Sequence, residues 1–278
     1  MENLIIKTPA KINLGLNILR KRDDGYHDLE TFFYPINLFD VLTFSESPEF
    51  QFTCNNPNLN NEKNLVIKAK QLLENEIKMK IKLKIDLQKH IPVGAGLGGG
   101  SSDAAAALLG INQFLNLKIE NEVLGKLASQ LGADVPFFLN PVPSYAEGKG
   151  DIIQPMQCRL HHPILVVVPD IHISTAWAYQ NVLPSTPEYP LNKIIEDCEI
   201  DFLYMHNKIK NDFEPFVFIA HPEIKEIKKT LYTHGAMFAL MSGSGSSLFG
   251  IFPNYDKAVQ ASKVFKDKYF TFLHHEQA

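Results

Sequence analysis

The chain of 278 residues carries only three cysteines, Cys54, Cys158 and Cys198, far apart and without metal-type spacing. That scarcity excludes a disulfide-dense secreted scaffold and a zinc module, and reduced thiols are expected. A basic surplus is also missing: 27 Lys and Arg face 31 Asp and Glu, a formal net charge of -4. Nucleic-acid binders usually carry the opposite balance, so no nucleic-acid partner is expected. No stretch approaches the roughly 18 consecutive apolar residues of a membrane span. Met1–Ala10 lacks the apolar core of a signal peptide, so no membrane partner and a cytoplasmic location are expected. What the chain does have is 45% hydrophobic residues, enough for a full core in one large or two ordinary domains.

Local patterns set out an α+β chain. Leu4–Ile6 opens a short strand expected to end at Pro9. Lys11–Leu19 alternates again, with Lys11 and Asn13 on its polar face. Asp24-Gly25, inside Arg20–Tyr26, is a hairpin signal. Strands are expected over Thr31–Ile36, Val41–Phe44, Phe50–Cys54 and Lys80–Leu87, and helices over Leu65–Glu74 and Leu124–Gln130. Pro136 is expected to hold Ala133–Phe138 extended. Composition shifts near residues 155–163. Beyond it come a strand at Ile164–Val168, a proline-rich loop at Pro184–Pro190 and a helix at Glu223–Tyr232. Strands at Phe238–Met241 and Leu248–Phe252 and a helix at Asp256–Lys268 complete a rhythm that suits an α+β sandwich. His161-His162 and His274-His275 receive no role.

The densest signal is Pro92-Val-Gly-Ala-Gly-Leu-Gly-Gly-Gly-Ser-Ser-Asp-Ala-Ala-Ala106. A strand, a glycine-rich loop and an alanine-rich helix follow one another there, an order that presents bare N–H groups to phosphate. Read literally, Gly94–Gly99 with Glu120 beyond satisfies a dinucleotide fingerprint. The preceding strand argues against it, because Lys80, Lys82 and Lys84 alternate with apolar residues where a central parallel strand is apolar throughout. No Lys follows the glycines as in a Walker A loop, and the protein-kinase motifs are absent. What remains is a loop whose glycines admit close backbone approach, with Ser101 and Ser102 at the expected helix N-cap, free to bond the helix or a phosphate oxygen. A flexible turn before a packing helix is the alternative. Asp103 would repel phosphate while complementing the helix dipole.

With those residues in view, Pro92–Ala107 resembles the second motif of the GHMP kinases. Pro9-Ala-Lys-Ile-Asn-Leu-Gly-Leu16 is similar to that family's first motif, and Met241-Ser-Gly-Ser-Gly-Ser-Ser-Leu-Phe-Gly250 to its third. Arg22-Asp-Asp-Gly-Tyr-His27, Gly132-Ala-Asp-Val-Pro-Phe-Phe138 and the three glycines before Ser101 narrow the resemblance within the family. They point to a kinase acting on a methylerythritol linked to a cytidine diphosphate, in the non-mevalonate route to isoprenoid precursors. Homoserine and mevalonate kinases of the same family are the alternative.

The resemblance implies ATP-dependent phosphorylation of an alcohol and two domains. Residues 1–158 are expected to form a ribosomal-protein-S5 domain-2-like unit holding the ATP loop. Residues 159–278 are expected to form a ferredoxin-like α/β sandwich, with the substrates in the cleft between. It implies ATP contacts from Pro92, Val93, Gly94, Ala95, Gly96, Leu97, Gly98, Gly99, Gly100, Ser101 and Ser102, and from Asn64 near the adenine. Catalysis falls to Asp134 as the base and Lys11 as the cation beside the acceptor oxygen. Substrate contacts are implied for Tyr26 and His27 at the cytosine, Asn13 at the methylerythritol, Asp134, Gly243, Ser244 and Gly245. No acidic residue stands in a convincing position for Mg2+, which is expected on the nucleotide phosphates.

Overall fold

The computed structural model describes residues 2–194, 202 and 207–275. The chain folds as two compact units, one comprising Met1–Ala10, Leu38–Val93 and Gly98–Pro141, the other Lys11–Asn37, Gly94–Leu97 and Val142–Ala278. Two long strands, β1 (Leu4–Lys21) and β2 (His27–Ser45), contribute residues to both. β1 does not stop at Pro9 as expected. Among the described strands its ladder partner is β2; its other edge is met by loops only from Lys11 onward, so a proline lacking N–H is tolerated at position 9. Lys11 and Asn13 do share a face, but each is only 2% exposed, so that face is interior and not solvated.

In the first unit, the end of β2 pairs antiparallel with β4 (Lys84–Gln88), with Val41 opposite Gln88 and Ser45 opposite Lys84. β3 (Gln51–Cys54) joins β4 in parallel. The alternation of 80–88 is realised, with Ile81, Leu83, Ile85 and Leu87 buried and the residues between them less so. Strand geometry starts only at Lys84. Helices α1 (Leu65–Ile77), α2 (Gly99–Phe114) and α3 (Asn121–Leu131) pack on one another. Ala104, Ala105, Ala106 and Ala107 are buried, so the small residues serve close helix packing. Gly110 continues that logic: a Cβ there would stand 2.2 Å from the Phe44 ring.

Beneath the start of α2 lies a buried ionic cluster. Lys89 donates to Asp40 Oδ2 and to Asp103 Oδ2, the latter at 2.8 Å, with the three side chains 6%, 0% and 5% exposed. Burial opposes the charge on Lys89, yet the two carboxylates hold its pKa above the ordinary value. Asp40 accepts two further bonds, from the His90 and Ile91 N–H groups at 2.6 and 2.9 Å. Asp103 takes the lysine on Oδ2, while its Oδ1 is buried without a hydrogen-bond partner. Burial, reinforced by repulsion from Asp40, pushes Asp103 up to about 7. The expected repulsion between Asp103 and phosphate is thus muted, because the carboxyl faces the lysine.

In the second unit, β2 pairs antiparallel with β5 (Ser144–Glu147), and β5 with β6 (Ile152–Pro155). A second sheet is antiparallel throughout, in the order β10-β7-β9-β8, from β7 (Ile164–Val168), β8 (Phe238–Met241), β9 (Leu248–Ile251) and β10 (Phe270–His274). Helix α4 (Thr175–Asn181) follows β7, and α5 (Glu214–Ala220) leads into α6 (Pro222–Thr233). α6 and α7 (Tyr255–Phe265) pack on this sheet over a core that includes Leu165, Val167, Ile227, Leu231, Ala258 and Phe265. Four antiparallel strands backed by helices in this order are the ferredoxin-like sandwich expected of the C-terminal half. His274, unassigned in sequence, is 1% exposed in β10 and accepts the Asn37 N–H at 3.1 Å through Nδ1.

Cys54 is a free, buried thiol, but Cys158 is disulfide-bonded, which corrects the expectation of reduced cysteines there. Cys198 lies outside the described residues. Among the described residues no helix is long and apolar enough to cross a membrane.

Because Asp103 binds its proton more tightly when folded, it contributes stability that is complete at acid pH and is lost as pH rises through about 7. Asp103→Asn mimics the neutral form. Its melting temperature relative to the parent is expected to rise between pH 5 and about pH 7 and then to level off. A gap independent of pH, or one that shrinks, contradicts the assignment.

Candidate active site

The glycine loop is divided between the units, with Pro92, Val93 and Gly98–Ser102 in the first and Gly94–Leu97 in the second. In the first unit, Gly98 at φ 73° is the N-cap of α2, a left-handed conformation that favours glycine. No side chain caps the helix there, so the N–H groups of its first turn lack the usual side-chain acceptor. This corrects the expected N-cap position of Ser101 and Ser102, which lie inside the first turns. The backbone of Gly98 takes the cap position expected of a serine hydroxyl. Ser101 is half-buried. Ser102 is fully buried, donating its hydroxyl to the Pro9 carbonyl at 2.6 Å and meeting the Thr8 hydroxyl. It fastens α2 to β1.

Asn64 accepts the Val66 N–H at 2.9 Å and donates to the Leu59 carbonyl at 3.0 Å, a side chain that caps α1 and holds the preceding turn. Asp134 sits half-buried in the turn between α3 and a 3-10 helix at Pro136–Leu139. The extended segment expected over Ala133–Phe138 is therefore corrected. Val135 adopts right-handed helical backbone (φ -64°, ψ -41°) despite the following proline, and Val135 N–H bonds the Gly132 carbonyl at 3.2 Å. Proline at the first helical position costs no donor, which lets the chain turn. Phe137 and Phe138, buried and packed edge to face at 4.9 Å, anchor the turn carrying Asp134.

The second unit surrounds Lys11. Its ammonium donates to Asn13 Oδ1 and stands 5.1 Å from the Phe33 ring centroid. Asn13 passes the connection on, donating to Thr31 Oγ1 at 2.8 Å, and Thr31 donates to the Gly15 carbonyl at 2.7 Å. The chain of bonds fixes the Asn13 amide with its oxygen toward the lysine. Lys11 N–H also bonds the Leu97 carbonyl at 3.0 Å, tying β1 to the glycine loop.

Two loops read separately in sequence meet here. Ser242 Oγ donates to the Gly96 carbonyl at 2.9 Å and accepts the Asn13 N–H at 3.2 Å. Ser247 N–H bonds the Ala95 carbonyl at 3.1 Å. A Cβ on Gly96 (φ 80°) would lie 2.1 Å from the Ser242 carbonyl oxygen, so only glycine permits this approach. Asn211, 2% exposed, holds the other side, donating to the Met241 and Gly243 carbonyls at 2.7 and 2.8 Å. Ser244 and Thr175 bring their hydroxyls within 3.2 Å. Ser242 lay inside the recognised motif, but Asn211 carries no local sequence signal.

Tyr26 and His27 occupy the hairpin after β1. Tyr26 is 59% exposed, its N–H on Asp24 and the Lys149 ammonium 4.9 Å from its ring centroid. Arg22 binds Asp24 and Asp28 and holds both carboxyls below the usual range. His27 is buried and stacks on Tyr179 of α4 at 5.2 Å, with Tyr179 edge-on to Phe213. Burial, with a smaller push from Lys21, lowers its pKa, which favours the neutral ring that can both donate and accept at a heterocycle edge. Tyr179 carries no local sequence signal; it matters through its contact with His27.

Residues 64–140 match the model of the GHMP kinases N terminal domain, and residues 195–270 that of the GHMP kinases C terminal. The chain is 41% identical over 274 residues to a 4-diphosphocytidyl-2-C-methyl-D-erythritol kinase of Pelodictyon phaeoclathratiforme, covering 97% of this chain and 96% of that one. It is 46% identical over 255 residues to the Bacteroides fragilis protein of that name, covering 89% and 92%. A crystal structure of 4-(cytidine 5'-diphospho)-2C-methyl-D-erythritol kinase superposes with a TM-score of 0.84 at 33% identity over 98% of each chain. With buried Lys11, the Gly98-capped helix and the interlocked glycine loops in the expected motifs, the chain belongs to the 4-diphosphocytidyl-2-C-methyl-D-erythritol kinase family of GHMP kinases.

Proposed function

We propose that this chain transfers the γ-phosphoryl group of ATP to the 2-hydroxyl of 4-diphosphocytidyl-2-C-methyl-D-erythritol, giving the 2-phosphate and ADP. The observation that carries the reading is identity of 41% over 97% of the chain to a kinase named for that substrate. In this reading the acceptor oxygen attacks the γ-phosphorus, the bond to the ADP oxygen breaks, and the hydroxyl proton passes to Asp134. Lys11 offsets negative charge on the acceptor oxygen. Its network with Asn13 and Thr31 supports that role by fixing its direction.

The ATP phosphates lie along the glycine loop, from Pro92 and Val93 through Gly100, with Ser101 reaching phosphate and Ser102 fastening the loop's helix. Asn64 borders the adenine. Tyr26 stacks on the cytosine, His27 reads its edge, and Asn13, Gly243 and Ser244 border the methylerythritol diphosphate. Among the described residues no group of three His, Cys, Asp or Glu could hold a metal ion. Mg2+ would be carried mainly by phosphate oxygens and water, where it would shield charge on the transferred group. The functional division falls between residues 158 and 159, and the reaction is cytoplasmic.

The direct test is a panel of alcohols offered with ATP. Turnover is expected with the cytidylyl substrate and not with homoserine or mevalonate; the reverse pattern refutes the substrate. Asp134→Asn separates chemistry from binding. It is expected to leave nucleotide affinity nearly unchanged and to lower kcat by about 10²–10⁴, the range for a lost general base. Undiminished kcat removes Asp134 from the mechanism.

A further inference from the structure

We propose that Lys89 is a positioning residue for nucleotide binding, a buried ionic bridge that holds the start and the end of the glycine loop in one geometry. The proposal rests on the loop being the nucleotide site, as above. Lys89 lies just past β4, beneath the first turn of α2, and its ammonium is spent on two carboxylates. It acts through them.

Asp40 on β2 binds the lysine and, through its other oxygen, the N–H groups of His90 and Ile91, the two residues immediately before Pro92. Asp103 on α2 binds the same ammonium at 2.8 Å, two residues past Ser101 at the loop's far end. One cation therefore couples both ends of the loop. The Lys89 backbone is fixed independently: its N–H bonds Asn55 Oδ1 at 2.8 Å and its carbonyl accepts from Asn55 Nδ2 at 3.1 Å. The fit against the helix is close. A Cβ on Gly99 would stand 2.9 Å from Lys89 Nζ and 2.9 Å from Ile91, so the first turn of α2 rests on the ammonium itself.

The chemistry also indicates that the cluster is not simply a stabilising device. Two carboxylates share one lysine away from water, and Asp103 Oδ1 has no donor. Apolar residues of similar shape can replace such buried ionic groups at little or no cost in stability. What an apolar cluster cannot reproduce is a directional link from β2 through the lysine to α2. A loop fixed in advance loses less conformational freedom when it closes on phosphates, so the benefit falls on nucleotide affinity.

The test compares Lys89→Met, Lys89→Arg and the triple variant Asp40→Asn/Lys89→Met/Asp103→Asn, which leaves no unpaired buried charge should Lys89→Met fail to fold. Direct titration reads a non-hydrolysable ATP analogue and, separately, CDP as probe of the cytidylyl end. Loosening the loop by a fraction of an ångström is expected to weaken the ATP analogue by about tenfold or more in the folded Met-containing variant, with CDP affinity within about twofold, and Lys89→Arg restoring most of the loss. Unchanged ATP-analogue affinity in a folded Met-containing variant overturns the proposal. Equal weakening of both ligands also overturns it, because a general structural defect acts on both. Neither titration depends on turnover. A wild-type protein that binds the ATP analogue but phosphorylates no cytidylyl alcohol refutes the substrate assignment and leaves this inference standing.

Discussion

An ammonium group withdrawn from water must be surrounded, and much of this structure follows from doing so twice. Taking such an ion into the protein interior costs several kcal/mol even after relaxation. In the second unit, Lys11 at 2% exposure is met by the Asn13 amide and the Phe33 ring. In the first, Lys89 is met by Asp40 and Asp103. Each solution recruits neighbours beyond the charge itself. Asn13 needs Thr31 to orient its amide, and Ser242 binds both Asn13 and the Gly96 carbonyl. Asp40 takes two backbone N–H groups that set the start of the glycine loop. The two lysines are thus the points from which the loops are held.

The sequence was most informative where a single element decides the outcome. Alternation over Lys80–Leu87 marks a strand with one covered face, which argues against a dinucleotide-binding central strand. Asp24-Gly25 marked a real hairpin. The strand at Phe238–Met241 was legible to the residue. Misreadings arose where a local rule met a long-range contact. Pro9 breaks nothing because no neighbouring strand requires a donor at that position. Serines before a helix favour a hydroxyl cap, yet glycine backbone caps α2 and Ser102 turns inward to Pro9. Val135 took helical backbone ahead of Pro136 because Phe137 and Phe138 have a core to enter.

The site was legible in its motifs but not in its supports. Lys11, Asn13 and the third-motif serines could be placed by resemblance. Thr31, Tyr179, Asn211 and the Lys89 cluster could not, since each matters only through a partner far away in sequence. A threonine on a strand or an asparagine before a helix looks ordinary until its acceptor is known. The supporting residues also explain why a loop rich in glycine is ordered here: its carbonyls at Ala95, Gly96 and Leu97 are each bonded by another segment.

In the function proposed above, Lys11 is buried for chemistry rather than for the fold. Lys11→Met removes the charge and keeps the length. With Asn13 still held by Thr31 and Ser242, the variant is expected to fold with a melting temperature near that of the parent. Its kcat for phosphoryl transfer is expected to fall by about 10²–10³, the loss seen when one electrostatic stabiliser is removed. A folded Lys11→Met protein with undiminished kcat rules out that role for the lysine.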